Sequence, residues 1–168
     1  RGVRNAICGS GTALTDNQAR LLKRFTNTVV ICYDPDAAGL KASIANARTL
    51  LSHGFDVRAI LLPNNQDPDD FAKASSGVDL PIVLQNLETN FIEYFYAARN
   101  VASASDFENS QLLDQICECI AVVPDKYLRE KYTLRLSKTF GTDIAYIQIG
   151  RASWRVRVYI SVGALSIK

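Results

Sequence analysis

Two short stretches hold the residues best suited to chemistry. Asp34 and Asp36 stand two apart at the end of the apolar run Val29-Val30-Ile31-Cys32-Tyr33, and Asp67, Asp69 and Asp70 are gathered in Asn64-Asn65-Gln66-Asp67-Pro68-Asp69-Asp70-Phe71. Carboxylates are hard oxygen donors of the kind that hold Mg²⁺ or Mn²⁺. Residues i and i+2 of an extended segment point to the same side, so Asp34 and Asp36 can converge on one cation. Two like charges held that close repel unless a metal lies between them. The same residues also suit a structural role. Asp36 ahead of Ala37-Ala38 makes a good helix N-cap, Pro35 suits a turn, and Asp69 and Asp70 suit a first helical turn. On these residues alone both roles stay open.

The elements around them place the acids. Val29 to Cys32, bounded by Thr28 and Asp34, reads as a strand buried on both faces inside a parallel sheet, which puts the acids at its carboxyl end, where α/β proteins bind ligands. Ala37 to Ser52 reads as a helix with Leu40, Ile44, Ala47 and Leu51 at helical spacing, stopped at His53-Gly54. Val57 to Leu62 is a further strand, closed by Pro63. Upstream, Val3 to Cys8 reads as a short strand broken by Gly9-Ser10-Gly11-Thr12, and Thr15 with Gln18 forms a capping box that opens a helix over Asp16 to Phe25. This alternation predicts right-handed crossovers and an α/β fold with a parallel sheet, whose neighbouring strands deliver both acidic clusters to one edge.

Beyond the second cluster the pattern is helical: Val78 to Leu87, Asn90 to Asn100, a helix starting at Asp106 and running on through Gln111 to Val122, and Lys126 to Phe140 ending at Gly141. These predict a small antiparallel all-α subdomain packed against the sheet, and a division into 1–77 and 78–148. Phe91, Tyr94, Phe95 and Ala98 form a stripe expected to be core. Lys126, Arg129, Lys131, Arg135 and Lys138 are expected to be a solvated face that at most brushes a nucleic-acid backbone.

With 168 residues and 48% hydrophobic content, the chain can bury one core and a small second unit. No apolar run reaches membrane-spanning length and no signal-peptide pattern opens the chain, so a soluble cytoplasmic protein without a membrane partner is expected. Cys8, Cys32, Cys117 and Cys119 lack zinc-site spacing and are expected to be reduced core or helix residues. His53, the single histidine, is expected to serve a helix end. The chain has no methionine and begins Arg1-Gly2, which reads as a fragment. From Ile149 onward the composition shifts to four bases and no acid, and the text resembles the conceptual translation of a sequencing adapter, so 149–168 is expected to be a non-native tail. Without those four, fifteen of the nineteen bases remain against seventeen acids, and the net charge of +2 becomes −2. A basic balance is therefore no argument for nucleic-acid binding.

In order and approximate spacing, Gly11-Thr12-Ala13-Leu14-Thr15, Leu21-Leu22-Lys23-Arg24-Phe25, Tyr33-Asp34-Pro35-Asp36-Ala37-Ala38-Gly39 and Leu61-Leu62-Pro63 with Asp67-Pro68-Asp69-Asp70-Phe71 resemble the Toprim domain of bacterial DnaG-type primases. Val123-Pro124-Asp125 and Arg129-Glu130-Lys131-Tyr132 resemble the helical subdomain that follows it, so the resemblance covers about residues 1 to 143. It implies metal-binding roles for Asp34, Asp36, Asp67 and Asp69, catalytic roles for Asp34 and Asp36, and Mg²⁺ or Mn²⁺ as cofactor. It further implies a parent enzyme that makes RNA primers on single-stranded DNA from nucleoside triphosphates and meets a replicative helicase through a region outside this sequence. Zinc is expected only in another region of such a parent. The family usually has a small residue where Pro35 stands. The glutamate-bearing strand that opens the family's Toprim pattern has no counterpart in this sequence, so the chain by itself is expected to be inactive.

Two other classes fit parts of the pattern. A non-catalytic binding module would use the acids as caps, and another Toprim protein, of topoisomerase or nuclease type, would share the Asp34–Asp36 pair. A phosphatase with a nucleophilic aspartate would need a Thr-containing loop where Ala37-Ala38-Gly39 stands.

Overall fold

The computed structural model describes residues 2–8, 13–75, 77–100, 103–145 and 147. Their order is α1 (Asp16–Lys23), β1 (Thr28–Ile31), α2 (Ala37–Ser52), β2 (Asp56–Ile60), a 3-10 turn (Pro63–Asn65), α3 (Pro68–Ala74), α4 (Leu80–Leu87), β3 (Glu88–Asn90), α5 (Phe91–Ala98), α6 (Asp106–Ala121) and α7 (Lys126–Phe140). The chain is a mixed α/β fold with a three-stranded sheet in the order β1-β2-β3 and a mostly helical remainder.

Local signals set the helix ends. The Thr15–Gln18 capping box opens α1, and Asp36 caps α2, which stops at His53 before Gly54 (φ 73°). Ser105 with Glu108 forms a second capping box at α6, which runs unbroken to Ala121. Asp125 caps α7, and Gly141, with φ 63°, closes it in the left-handed conformation.

α2 is the crossover that makes β1 and β2 parallel, in register from Thr28↔Asp56 to Ile31↔Ala59. One apolar cluster joins Ala19 of α1, Ile31, the buried face of α2, Val57 and Ala59 with Phe91, Phe95, Ile116 and Leu136 from the helices downstream. A smaller cluster of Ile60, Leu62, Phe71 and Leu80 lies under α3 and α4. The helical part thus packs against the sheet as expected: α5 touches β2, α6 touches α2, and α7 touches α5 and α6.

The structure corrects several expectations. Val3 to Cys8 is not a strand; it is exposed, with Ile7 at 69%, because it joins no ladder, and Cys8 is exposed with it. One parallel crossover therefore replaces two. β1 is not buried on both faces. It is an edge strand among the described residues, with Ile31 inward and Val30 37% exposed. The sheet is not wholly parallel, since β3 pairs antiparallel with β2 through Arg58↔Asn90 and Ile60↔Glu88. Three residues wedged between two helices carry no alternation long enough to read as a strand. The preceding helix starts at Leu80 rather than Val78, and α5 runs Phe91–Ala98 inside the wider span predicted for it. The tail from Ile149 lies outside the described residues.

The aromatic stripe is core: Phe91, Tyr94 and Phe95 are buried, and Phe91 meets Tyr132 of α7 edge-on at 5.2 Å. Cys117 and Cys119 are buried in α6, and none of the four cysteines forms a disulfide. On α7, Arg135 pairs with Glu93 at 3.2 Å and Lys126 with Glu130 at 3.9 Å, both exposed pairs of small energetic weight. Arg129 instead donates to the carbonyls of Val123 and Pro124, bracing the turn into the helix.

Candidate functional site

Because β1 and β2 are parallel neighbours, Ile31 and Ile60 end at the same edge of the sheet, and the chain leaves each strand into a loop of acids. After β1 come Cys32, Tyr33 and then Asp34 and Asp36, both exposed. After β2 come Leu61, Leu62 and the 3-10 turn, where Asn64 takes φ 57°, a value Asn tolerates, before the half-buried Asp67 and the exposed Asp69 and Asp70.

Each acid has a definite local position. Asp36 Oδ1 accepts from the Gly39 N–H at 2.6 Å, and Asp67 Oδ1 accepts from the Asp70 N–H at 2.7 Å, so each caps the helix it precedes. Asp69 pairs with Lys73 one turn on in α3. Asp34 caps no helix; its backbone carbonyl closes against Gly39, and its side chain stands in solvent. Among the described residues no group of three or more His, Cys, Asp or Glu comes close enough to hold a metal ion. The two loops share an edge, but the four carboxylates do not converge, because helix ends and Lys73 take up three of them.

The local field is negative all the same. The Lys73 ammonium is held above its usual range, chiefly by its hydrogen bond to Asp69 and that residue's charge, with Asp70 and Asp67 adding. Burial first, and then the Asp34 charge, push the Cys32 thiol up. Exposed carboxylate oxygens in a negative field match a small hard cation, and Mg²⁺ needs only one or two carboxylates besides its waters. The donor chemistry fits such an ion at either loop.

Gly39 is required by this geometry. A Cβ there would collide with the Asp34 carbonyl and crowd Asp36 Oδ1 at 3.2 Å, so α2 can start this close to β1 only with glycine at that position. Beneath the loops, Asn46 of α2 bonds both Leu14 and Tyr33, and Ser43, fully buried, bonds the Leu40 carbonyl and Tyr94. Reasoning from sequence passed over Asn46 and Lys73. Asn46 is a polar residue at helical spacing with the apolar Leu50, and Lys73 lies four residues after Asp69. His53, as expected, ends α2; its Nε2 meets Asp16 Oδ1 at 2.8 Å and ties α2 to the start of α1. A recess of about 630 Å³ lies elsewhere, between α5 and α7, lined by Asp56, Glu93, Lys131, Tyr132 and Arg135 among others, and none of the four acids reaches it.

A family model described as Toprim-like matches residues 1–72. The DNA primase of Listeria innocua is 33% identical over 144 residues, covering 83% of this chain and 23% of that protein. The crystal structure of the Aquifex aeolicus primase, with its zinc-binding and RNA polymerase domains, superposes with a TM-score of 0.66 at 29% identity, covering 88% of this chain and 35% of that one. The chain belongs with the bacterial DnaG-type primases. A DNA primase domain from Pseudomonas aeruginosa matches the same DnaG-type fold with a TM-score of 0.67 at 25% identity over 90% of this chain and 49% of that one. Relative to its full-length primase relatives the chain is short, spanning 23% of the Listeria protein. No helix among the described residues is long and apolar enough to cross a membrane.

Proposed function

We propose that this chain is part of the polymerising core of a bacterial replicative primase, a DNA-directed RNA polymerase whose parent protein makes short RNA primers on single-stranded DNA. In this reading, residues 1–77 form part of the Toprim domain, 78–148 its helical companion and 149–168 an extraneous tail. Asp34 and Asp36 in one loop, and Asp67 and Asp69 in the other, are the carboxylates that would hold Mg²⁺ or Mn²⁺. When bound, the ion neutralises charge that develops on the phosphates of a nucleoside triphosphate during nucleotidyl transfer. The chain's own part is to present these carboxylates at one sheet edge, with Gly39 and the caps of α2 and α3 setting where they stand. The primer's 3′-end, the template and the replicative helicase are the partners of the parent in the cytoplasm. The observation that carries this reading is the parallel pairing of β1 and β2, which sends two acidic loops to the same edge.

A second reading has an observation of its own: Asp36 and Asp67 cap helices, as they would in a non-catalytic binding module. Asparagine caps about as well as aspartate, so Asn substitutions separate the two. Mn²⁺ binding to the chain, followed by electron paramagnetic resonance, is expected to weaken at least several-fold in Asp34→Asn and Asp36→Asn while the melting temperature holds. Unchanged Mn²⁺ affinity in both variants would leave Asp36 as a cap alone and Asp34 with no part in metal binding.

A further inference from the structure

We infer that Asn46 is a positioning residue for the Asp34–Asp36 loop, its buried amide holding Tyr33 at the root of the loop and the Leu14 backbone through two half-buried hydrogen bonds; this rests on the metal-binding reading of that loop. Asn46 lies in the interior of α2, where asparagine is a poor helix former, and is only 6% exposed. Both halves of its amide are used. Oδ1 accepts from the Leu14 N–H at 2.7 Å across 32 residues of sequence, and Nδ2 donates to the Tyr33 hydroxyl oxygen.

These two partners occupy separate motifs. Leu14 immediately precedes Thr15, the cap of α1, and Tyr33 immediately precedes Asp34. Tyr33 is half-buried and Asp34 beside it is exposed, so the bond that holds Tyr33 to α2 anchors the backbone from which the Asp34 carboxylate projects. The Gly39 contact then fixes the Asp34 carbonyl from the other direction. A buried amide left without partners costs the full desolvation penalty, so the unit is made whole or lost as a whole. Around it Ala47, Leu50 and Leu51 pack in the apolar core, and Ser43, one turn earlier, is the other buried polar side chain of α2.

The test uses Asn46→Leu and Tyr33→Phe in this chain, with Leu136→Ala as a destabilised control in the distant α7. Without metal, amide exchange at Leu14 and from Asp34 to Gly39 is expected to quicken about five- to tenfold in both variants, with α7 amides unchanged. Mn²⁺ affinity is expected to fall several-fold in both, and to hold in Leu136→Ala. Tyr33→Phe removes one hydroxyl and keeps the ring, so it reports even if Asn46→Leu does not fold. Leu14 and the Asp34 loop exchanging at the wild-type rate in Tyr33→Phe, or exchange quickening evenly over the whole chain, would overturn the inference. A wild-type chain that binds no Mn²⁺ would instead sink the proposed function, while the exchange rates still decide the role of Asn46.

Discussion

Gly39 in the first turn of α2 lies so close to the carbonyl of Asp34 that a single added carbon would overlap it. The start of the crossover helix and the acidic strand end are therefore one packed unit. Gly39→Ala must push either the helix or the loop aside, and is expected to destabilise the chain by about 1–3 kcal/mol, as overpacking does, and to displace Asp34. Urea unfolding measures the first effect, and Mn²⁺ affinity the second. A variant as stable as wild type would show that the loop relaxes without strain.

Phe91, fully buried at the start of α5, faces Phe95 at 6.2 Å and Tyr132 of α7 at 5.2 Å. Truncating it empties the point where the sheet, α5 and α7 meet. Phe91→Ala is expected to cost about 3–5 kcal/mol. In a double-mutant cycle with Tyr132→Ala, a coupling of about 0.5–1.5 kcal/mol should remain, and zero coupling would mean the rings pack independently.

The cysteines should separate by reactivity. Burial pushes the Cys119 thiol up to about 12, so almost no thiolate exists there near neutral pH. Cys8 is exposed. Iodoacetamide is expected to label Cys8 in the native chain and Cys119 only in denaturant, read by peptide mass spectrometry. Native labelling of Cys119 would indicate that α6 opens locally.

Glu108 supplies an acid-range signal. The Ser105 backbone N–H, and then its hydroxyl, hold the Glu108 carboxyl below its usual value. A depressed folded pKa gives stability that is present above the unfolded value of 4.5 and is lost as pH falls through the lower folded one. Glu108→Gln keeps an acceptor in the capping box but cannot titrate. Its stability is expected to fall less than that of wild type between neutral and acid pH, and parallel curves would show that the box contributes nothing to acid sensitivity.

What the sequence determined on its own was local. Capping residues at Thr15 and Asp36, the Pro124-Asp125 start and stops at Gly54 and Gly141 satisfy helix ends within a few residues, so their spacing alone marked α1, α2 and α7, while the Ser105 cap of α6 emerged only from the structure. The acidic loops could be read for the same reason, since each follows a strand and precedes a helix. Tertiary structure decided what needs a distant partner. Val3 to Cys8 has strand-like residues but joins no ladder, Val30 is half-open because β1 stands at the edge, and Glu88–Asn90 becomes a strand only because β2 offers Arg58 to Ile60 beside it. Leu14, Tyr33 and Asn46 lie 13 and 32 residues apart, a separation no periodicity encodes, and only folding α2 across the sheet brings them to one buried amide. A hydrogen bond between distant residues leaves no pattern in the order of the chain; it exists once the backbone that spans them is closed.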